Sequence, residues 1–182
     1  NRAESTSKVP TRLKNFMPIF TETQRPRQSW LFLVIALLAL IGWGVFIQQI
    51  VRGKPVGDNP MPDWGAWLMA ALLGVVLPLF LLWFRMETTV YPDRVEVRMT
   101  PFVHRVFGPS EIAEAAARTY RPMREFGGWG VRWGLRGLSK NRAYNASGDQ
   151  GVQLVLTNGN RILIGTQRPQ ELEAAIVSIL PR

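Results

Sequence analysis

The sequence predicts a membrane α-helical hairpin followed by a small β-rich α+β domain. Three observations lead there. Two apolar runs without charge have membrane-spanning length, a short connector rich in turn formers joins them, and after Phe84 the pattern turns strand-like and ends in one amphipathic helix. The expected divisions are an N-terminal arm over 1–28, the hairpin over 29–85 and the domain over 86–182.

The arm, Asn1 to Arg27, contains Pro10, Pro18 and Pro26 and no long helical pattern. Left alone such a segment is mobile, so its order is expected to depend on something that holds it, most simply a larger assembly. The sequence opens without methionine, and a few residues are expected ahead of Asn1. The apolar run begins too late, and lacks the small-residue cleavage site, for a secretory signal.

The spans run from Trp30 to Val51 and from Trp64 to Phe84, and neither contains an ionisable residue. About 20 apolar residues are needed to cross the hydrocarbon core as a helix. A chain of 182 residues is too small to bury two such helices inside a soluble body. The connector, Arg52 to Asp63, is short and carries three prolines and two glycines, which makes the helices antiparallel neighbours. Six basic residues precede the first span and fourteen follow the second, whereas the two in the connector are balanced by Asp58 and Asp63. The positive-inside rule then places both termini in the cytoplasm. Trp30 and Trp83 fall at the cytoplasmic interface, and Trp64 and Trp67 at the other.

Ala66, Ala70 and Gly74 recur every four positions, a smooth stripe for close helix packing. Pro78 cannot donate to the Gly74 carbonyl, so a kink is expected nearby. Ion pathways usually need ionisable groups within the membrane, which argues against a channel or transporter. The spans also lack histidine, which excludes an imidazole-held haem or chlorophyll from the hairpin. No cofactor is expected.

Beyond Arg85, Val90, Val95 and Val97 alternate with polar residues on either side of Pro92-Asp93, the pattern of a β-hairpin. Pro101 to Phe107 reads as another strand. Glu111 to Tyr120 is ambiguous, since its alanines favour helix and its neighbours favour sheet; strand is the preferred reading. Val152 to Thr157 and Arg161 to Gly165 flank Asn158-Gly159, a pair suited to a two-residue type I′ turn. That turn puts Leu154, Leu156 and Leu163 on one face and Val155, Ile162 and Ile164 on the other. Both faces are apolar, so the hairpin is expected at the centre of the domain. A helix from Pro169 to Leu180 closes the chain, with Leu172, Ala175, Ile176, Ile179 and Leu180 on one side.

Several segments carry a resemblance: Arg118 to Gly134 with its glycine-tryptophan motif, Ala143 to Gly148, Gly151 to Leu154, and Ile164 to Pro169. They resemble a family of uncharacterised bacterial proteins with two membrane helices followed by a pleckstrin-homology-like domain. The similarity runs from about Phe20 to Leu180. It implies a pleckstrin-homology-like barrel closed by the C-terminal helix, and a place in the bacterial inner membrane. It implies no activity and no catalytic residue.

The net charge is +9, and arginine supplies 18 of the 22 basic residues. Between Arg118 and Arg142 lie seven basic residues and a single acid, Glu125, interleaved with Tyr120, Phe126, Trp129, Trp133 and Tyr144. The contact surface expected from this segment comprises Arg118, Arg121, Arg124, Trp129, Arg132, Trp133, Arg136, Lys140 and Arg142. It would meet anionic headgroups or an acidic protein face, because each basic residue beside an anionic leaflet gains about 1 kcal/mol. A solvated loop that merely enforces topology is the plainer reading. Nucleic acid is not expected as a partner, since no reading motif accompanies the charge.

Gly127 to Gly134 lacks the lysine-serine or lysine-threonine ending of a phosphate loop. Its glycines suit tight turns beside the tryptophans. His104 is the sole histidine, and Ser147 and Asp149 have no base or second carboxylate at a telling spacing. Nothing in the sequence argues for an enzyme. The expectation is a non-enzymatic accessory or scaffolding subunit of a larger membrane complex, photosynthetic or respiratory, with other membrane subunits and anionic lipids as partners. The alternative is a tethered regulatory module that senses anionic lipid.

Overall fold

The computed structural model describes residues 16–133 and 141–181; residues 1–15 of the expected arm lie outside the described residues, and its remainder contains a strand. Strand β1 (Phe20–Gln24) is followed by helix α1 (Ser29–Val51) and helix α2 (Asp63–Trp83), both long and apolar enough to cross a membrane. Only 11% and 17% of their apolar windows are buried within the chain. These are therefore not the core helices of a soluble fold, and their outer faces are left for lipid or a partner.

Each helix contains one widened turn, Ile47–Val51 in α1 and Leu72–Val76 in α2. In these turns the amide reaches five residues back, as Arg52 N does to Ile47 O at 3.0 Å. The second lies just ahead of Pro78, so the expected distortion is taken up as a wide turn. Pro78 withholds an amide from the Gly74 carbonyl, and the Trp43 indole of α1 donates to that oxygen instead, at 3.3 Å. At the far end of the hairpin Gln49 donates to Met61 O at 2.7 Å and to Asp63 Oδ1 at 2.9 Å, tying α1 to the start of α2.

The domain has two sheets. The first has strand order β1-β2-β3-β4, with β2 (Arg85–Tyr91), β3 (Arg94–Thr100) and β4 (Val103–Phe107), all antiparallel. The second runs β5-β8-β9-β7-β6, from β5 (Ile112–Thr119), β6 (Gly130–Trp133), β7 (Asn141–Asn145), β8 (Gln150–Leu156) and β9 (Arg161–Gly165). Its β7–β9 pair is parallel and the others antiparallel. A short helix α3 (Pro122–Phe126) and the terminal helix α4 (Pro169–Ile179) complete the fold. The two sheets remain open and separate, so the closed barrel expected from the sequence is not formed.

One core lies between the sheets and α4. Met86, Val90, Val95 and Val97 of the first sheet meet Val152, Leu154, Ile162 and Ile164 of the second, with Leu172 and Ile176 of α4. A smaller core of Tyr120, Phe126, Ala143 and Leu163 covers the opposite face of the second sheet beneath α3. The β8–β9 hairpin is thus central and covered on both sides.

Its register differs from the expectation. Leu154 pairs with Ile162 and Gln153 with Leu163, so Leu154 and Leu163 lie on opposite faces. The cause is the turn. In the turn Gly159 takes a positive φ, +79°, and Asn158 does not, so Asn158-Gly159 cannot be type I′. Gly159 N donates to Leu156 O and Leu156 N to Asn160 O, both at 2.8 Å, closing a three-residue loop with a glycine bulge. One extra loop residue moves the pairing by one and exchanges the faces.

β1 is the second departure. The arm is gripped by its own domain. Gln24 Nε2 donates to Gly165 O at 2.8 Å, Arg168 Nη2 to Thr21 O at 2.8 Å, and Gln167 N to Glu22 Oε1 at 2.9 Å. Thr166 Oγ1 also donates to Glu22 Oε2. Order over Phe20–Gln24 therefore needs no larger assembly.

Candidate functional site

Where the hairpin meets the domain, the side chains leave a cavity of about 530 Å³. Trp30, Leu31 and Ile35 of α1, and Leu77, Phe80, Leu81 and Phe84 of α2, form its hairpin wall. Phe102, at the β3–β4 turn, stacks obliquely against Phe80 and Phe84, with ring centroids 5.7 and 6.5 Å apart. That contact ties the first sheet to the end of α2. The domain wall comes from Met123 of α3, the Gly127–Gly130 loop, Asn145 and Ala146.

Local chemistry explains how this wall is held. α3 begins at Pro122 and ends at Gly127, whose φ of +70° suits the left-handed C-terminal cap that glycine supplies at least cost. Gly128 N then donates to Pro122 O at 3.0 Å. Trp129 Nε1 donates to Gly148 O at 3.0 Å. Asn145, fully buried, accepts from Gly130 N and donates to the Tyr120 hydroxyl, each at 2.9 Å. Gln28 donates to Ala146 O at 3.0 Å, while its amide oxygen is buried without a partner among the described residues. The cavity is thus mostly apolar, with a few fixed amides on its domain side.

Charge is unevenly distributed around it. Arg118 is paired with Glu125 at 2.8 Å, and the other Glu125 oxygen accepts from Arg121 N at 2.8 Å. Burial alone would raise the Glu125 carboxyl, but the Arg121 amide and the Arg118 guanidinium outweigh it and hold the group below the usual carboxylate range. Burial pushes the Tyr120 hydroxyl up, against the opposing hydrogen bond from Asn145. Arg121 and Arg124 are exposed and lack ion-pair partners among the described residues. They flank Met123, which lines the cavity, so two exposed cations stand beside an apolar opening.

The basic segment is therefore not one surface. Arg118 is neutralised by Glu125; Arg121, Arg124 and Trp129 belong to the foot of the hairpin. Arg142 lines a different cleft, with Arg105 and Arg161. Tyr120, Phe126 and Tyr144, interleaved with these basic residues along the chain, are core residues. Arg132 and Trp133 sit on the β6 backbone, and their side chains, with all of Arg136 and Lys140, lie outside the described residues. In the hairpin, Ala66 and Ala70 are buried, and a Cβ at Gly42 would lie 3.5 Å from the Ala70 Cα. Gly74 abuts the Trp43 indole. His104 is half-exposed, 3.6 Å from Glu96.

The cavity residues on α1 and α2 were read from the sequence only as parts of the two apolar spans. The aromatic spacing of Phe80, Phe84 and Phe102 was the available signal, but nothing local shows that the β3–β4 turn folds back onto the helix.

Two apolar helices able to cross a membrane, joined to an open two-sheet domain with a closing helix, define the class of this protein. Residues 14–181 match the model of a Family of unknown function (DUF6141), and the chain belongs to that family. A search of curated proteins gives no match.

Proposed function

We propose that the chain is a non-enzymatic membrane-anchored module that engages an anionic lipid at the foot of its hairpin. The observation that carries this is the cavity of about 530 Å³ between the span ends and the glycine-tryptophan loop, with Arg121 and Arg124 beside it. Its volume lies in the range of small-ligand sites, about 300–1,000 Å³. An acyl chain suits the wall of Leu31, Ile35, Phe80 and Leu81, and the paired arginines suit the headgroup. Two such cations contribute roughly 2 kcal/mol at an anionic leaflet. Both termini on the cytoplasmic side of a bacterial inner membrane follow from the positive-inside pattern. A pleckstrin-homology-like layout of the domain is supported by two mainly antiparallel sheets enclosing a core with one C-terminal helix.

The test is native mass spectrometry of the chain released from nanodiscs of mixed phosphatidylglycerol and phosphatidylcholine. The wild type is expected to retain phosphatidylglycerol above its share of the bilayer. Arg121→Ala with Arg124→Ala should remove the preference, and Leu31→Trp, which fills the cavity, should remove the retained lipid. Retained lipid that merely mirrors the bilayer would overturn the proposal.

A second reading is an accessory subunit of a larger membrane complex. It is supported by the largely exposed outer faces of α1 and α2, which would pack on a partner as readily as on lipid. A stoichiometric partner that survives mild detergent distinguishes it.

A further inference from the structure

We propose that a second cleft, beside the β8–β9 loop, binds a small soluble phosphate-bearing anion through Arg105, Arg142 and Arg161. These three arginines line a cavity of about 300 Å³ between β4 and the β8–β9 loop. The register explains why Arg105 and Arg142 converge. Arg105 pairs with Val97, whose side chain is in the core, so Arg105 projects from the inner face of the first sheet. Arg142 is in register with Ile162, also a core residue, and so projects from the inner face of the second. Each sheet therefore directs a guanidinium towards the gap between the sheets. Arg161, at the start of β9, closes the third side.

None of the three has an ion-pair partner among the described residues. The one acid in the lining, Glu111, already accepts from Gly108 N at 3.0 Å. Three like charges around a small cleft repel one another, and guanidinium forks match the oxygens of a phosphate group. Thr157, Asn158 and Asn160 add neutral polar groups at the rim. The small volume suits phosphate, pyrophosphate or the phosphate end of a compact metabolite.

The small volume favours a soluble ligand. β9 runs from Arg161 towards Gly165, whose carbonyl is held by Gln24 just ahead of α1. Four strand rises, about 13 Å, separate Arg161 from that contact along β9. The cleft and the lipid cavity share no lining residue, and either can fail without the other.

The experiment is a thermal-unfolding titration of the full chain in phosphatidylcholine nanodiscs with pyrophosphate, at ionic strength held constant with sodium chloride. Saturable stabilisation is expected. Arg105→Gln, Arg142→Gln and Arg161→Gln should each weaken it about tenfold or more, the loss of a charge-assisted hydrogen bond. Arg142→Lys, which keeps the charge without the fork, should fall between wild type and Arg142→Gln. Arg98→Gln, outside the cleft, should bind as wild type. No saturable stabilisation, or binding by all three glutamine variants as tight as wild type, overturns the proposal. Added phosphatidylglycerol that competes with pyrophosphate in the wild type, but not in Arg142→Gln, would assign the site to lipid headgroups and overturn the soluble source.

Discussion

Replacing Gly74 by alanine should loosen the hairpin although it adds a single methyl group. A Cβ at this position would lie 2.5 Å from Trp43 Nε1 and 2.8 Å from Cδ1. Ordinary contact begins near 3.4 Å, so the indole must retreat by about 0.9 Å, the difference between 3.4 and 2.5. Its bond to the Gly74 carbonyl is already 3.3 Å long and will not survive that movement. Overpacking of this kind costs about 1–3 kcal/mol, and an interhelical hydrogen bond in a membrane adds about 0.6 kcal/mol. The better helix propensity of alanine returns about 1 kcal/mol. The net expectation is a loss of roughly 0.6–2.6 kcal/mol, measured by unfolding in mixed detergent micelles. In a Trp43→Leu background the methyl has room, and the same substitution should be neutral or stabilising. Additive effects of the two substitutions would refute the contact between Gly74 and Trp43.

The turn in the central hairpin separates two glycine readings: Gly159→Ala should cost about 1 kcal/mol or more because φ is positive there, while Asn158→Ala should cost little. Chemical denaturation of both variants checks this. Glu125 is held below the usual carboxylate range, so its contribution is present above the unfolded value of about 4.3 and is lost as pH falls through the folded one. Its side chain is 37% exposed, which limits the ion pair to about 1 kcal/mol or less, and Glu125→Gln should flatten the acid limb of a stability-against-pH curve by that amount. Gln24→Ala removes the donor to Gly165 O, and hydrogen exchange should show faster amides over Thr21–Gln24 while β8 and β9 stay protected.

The spans were legible because a long stretch without charge has few other uses, and the strands because valine and isoleucine recur with period two. β1 was not legible. Its inward positions are Phe20, Glu22 and Gln24, and two of the three are polar, so no apolar alternation exists to be read. Their burial depends on partners more than 140 residues away, Gly165 O and Thr166. The faces of β8 and β9 were exchanged because one bulged glycine decides the register, and Asn-Gly suits either loop. The basic segment looked continuous along the chain, yet folding splits it between the foot of the hairpin and the cleft beside the β8–β9 loop. Arg105 and Arg161 join Arg142 only through pairing of strands that are distant in sequence. Closure into a barrel failed as an expectation because strand number and a terminal helix do not specify which edges meet.

The most direct test of the lipid site places a photo-crosslinking residue at Met123 in the intact chain and activates it in native membranes. Engagement of lipid at the foot of the hairpin is expected to give an adduct with the mass of an anionic phospholipid, diminished by Arg121→Ala with Arg124→Ala. An adduct to another polypeptide, with no lipid adduct, would contradict it and would give the cavity to a partner subunit.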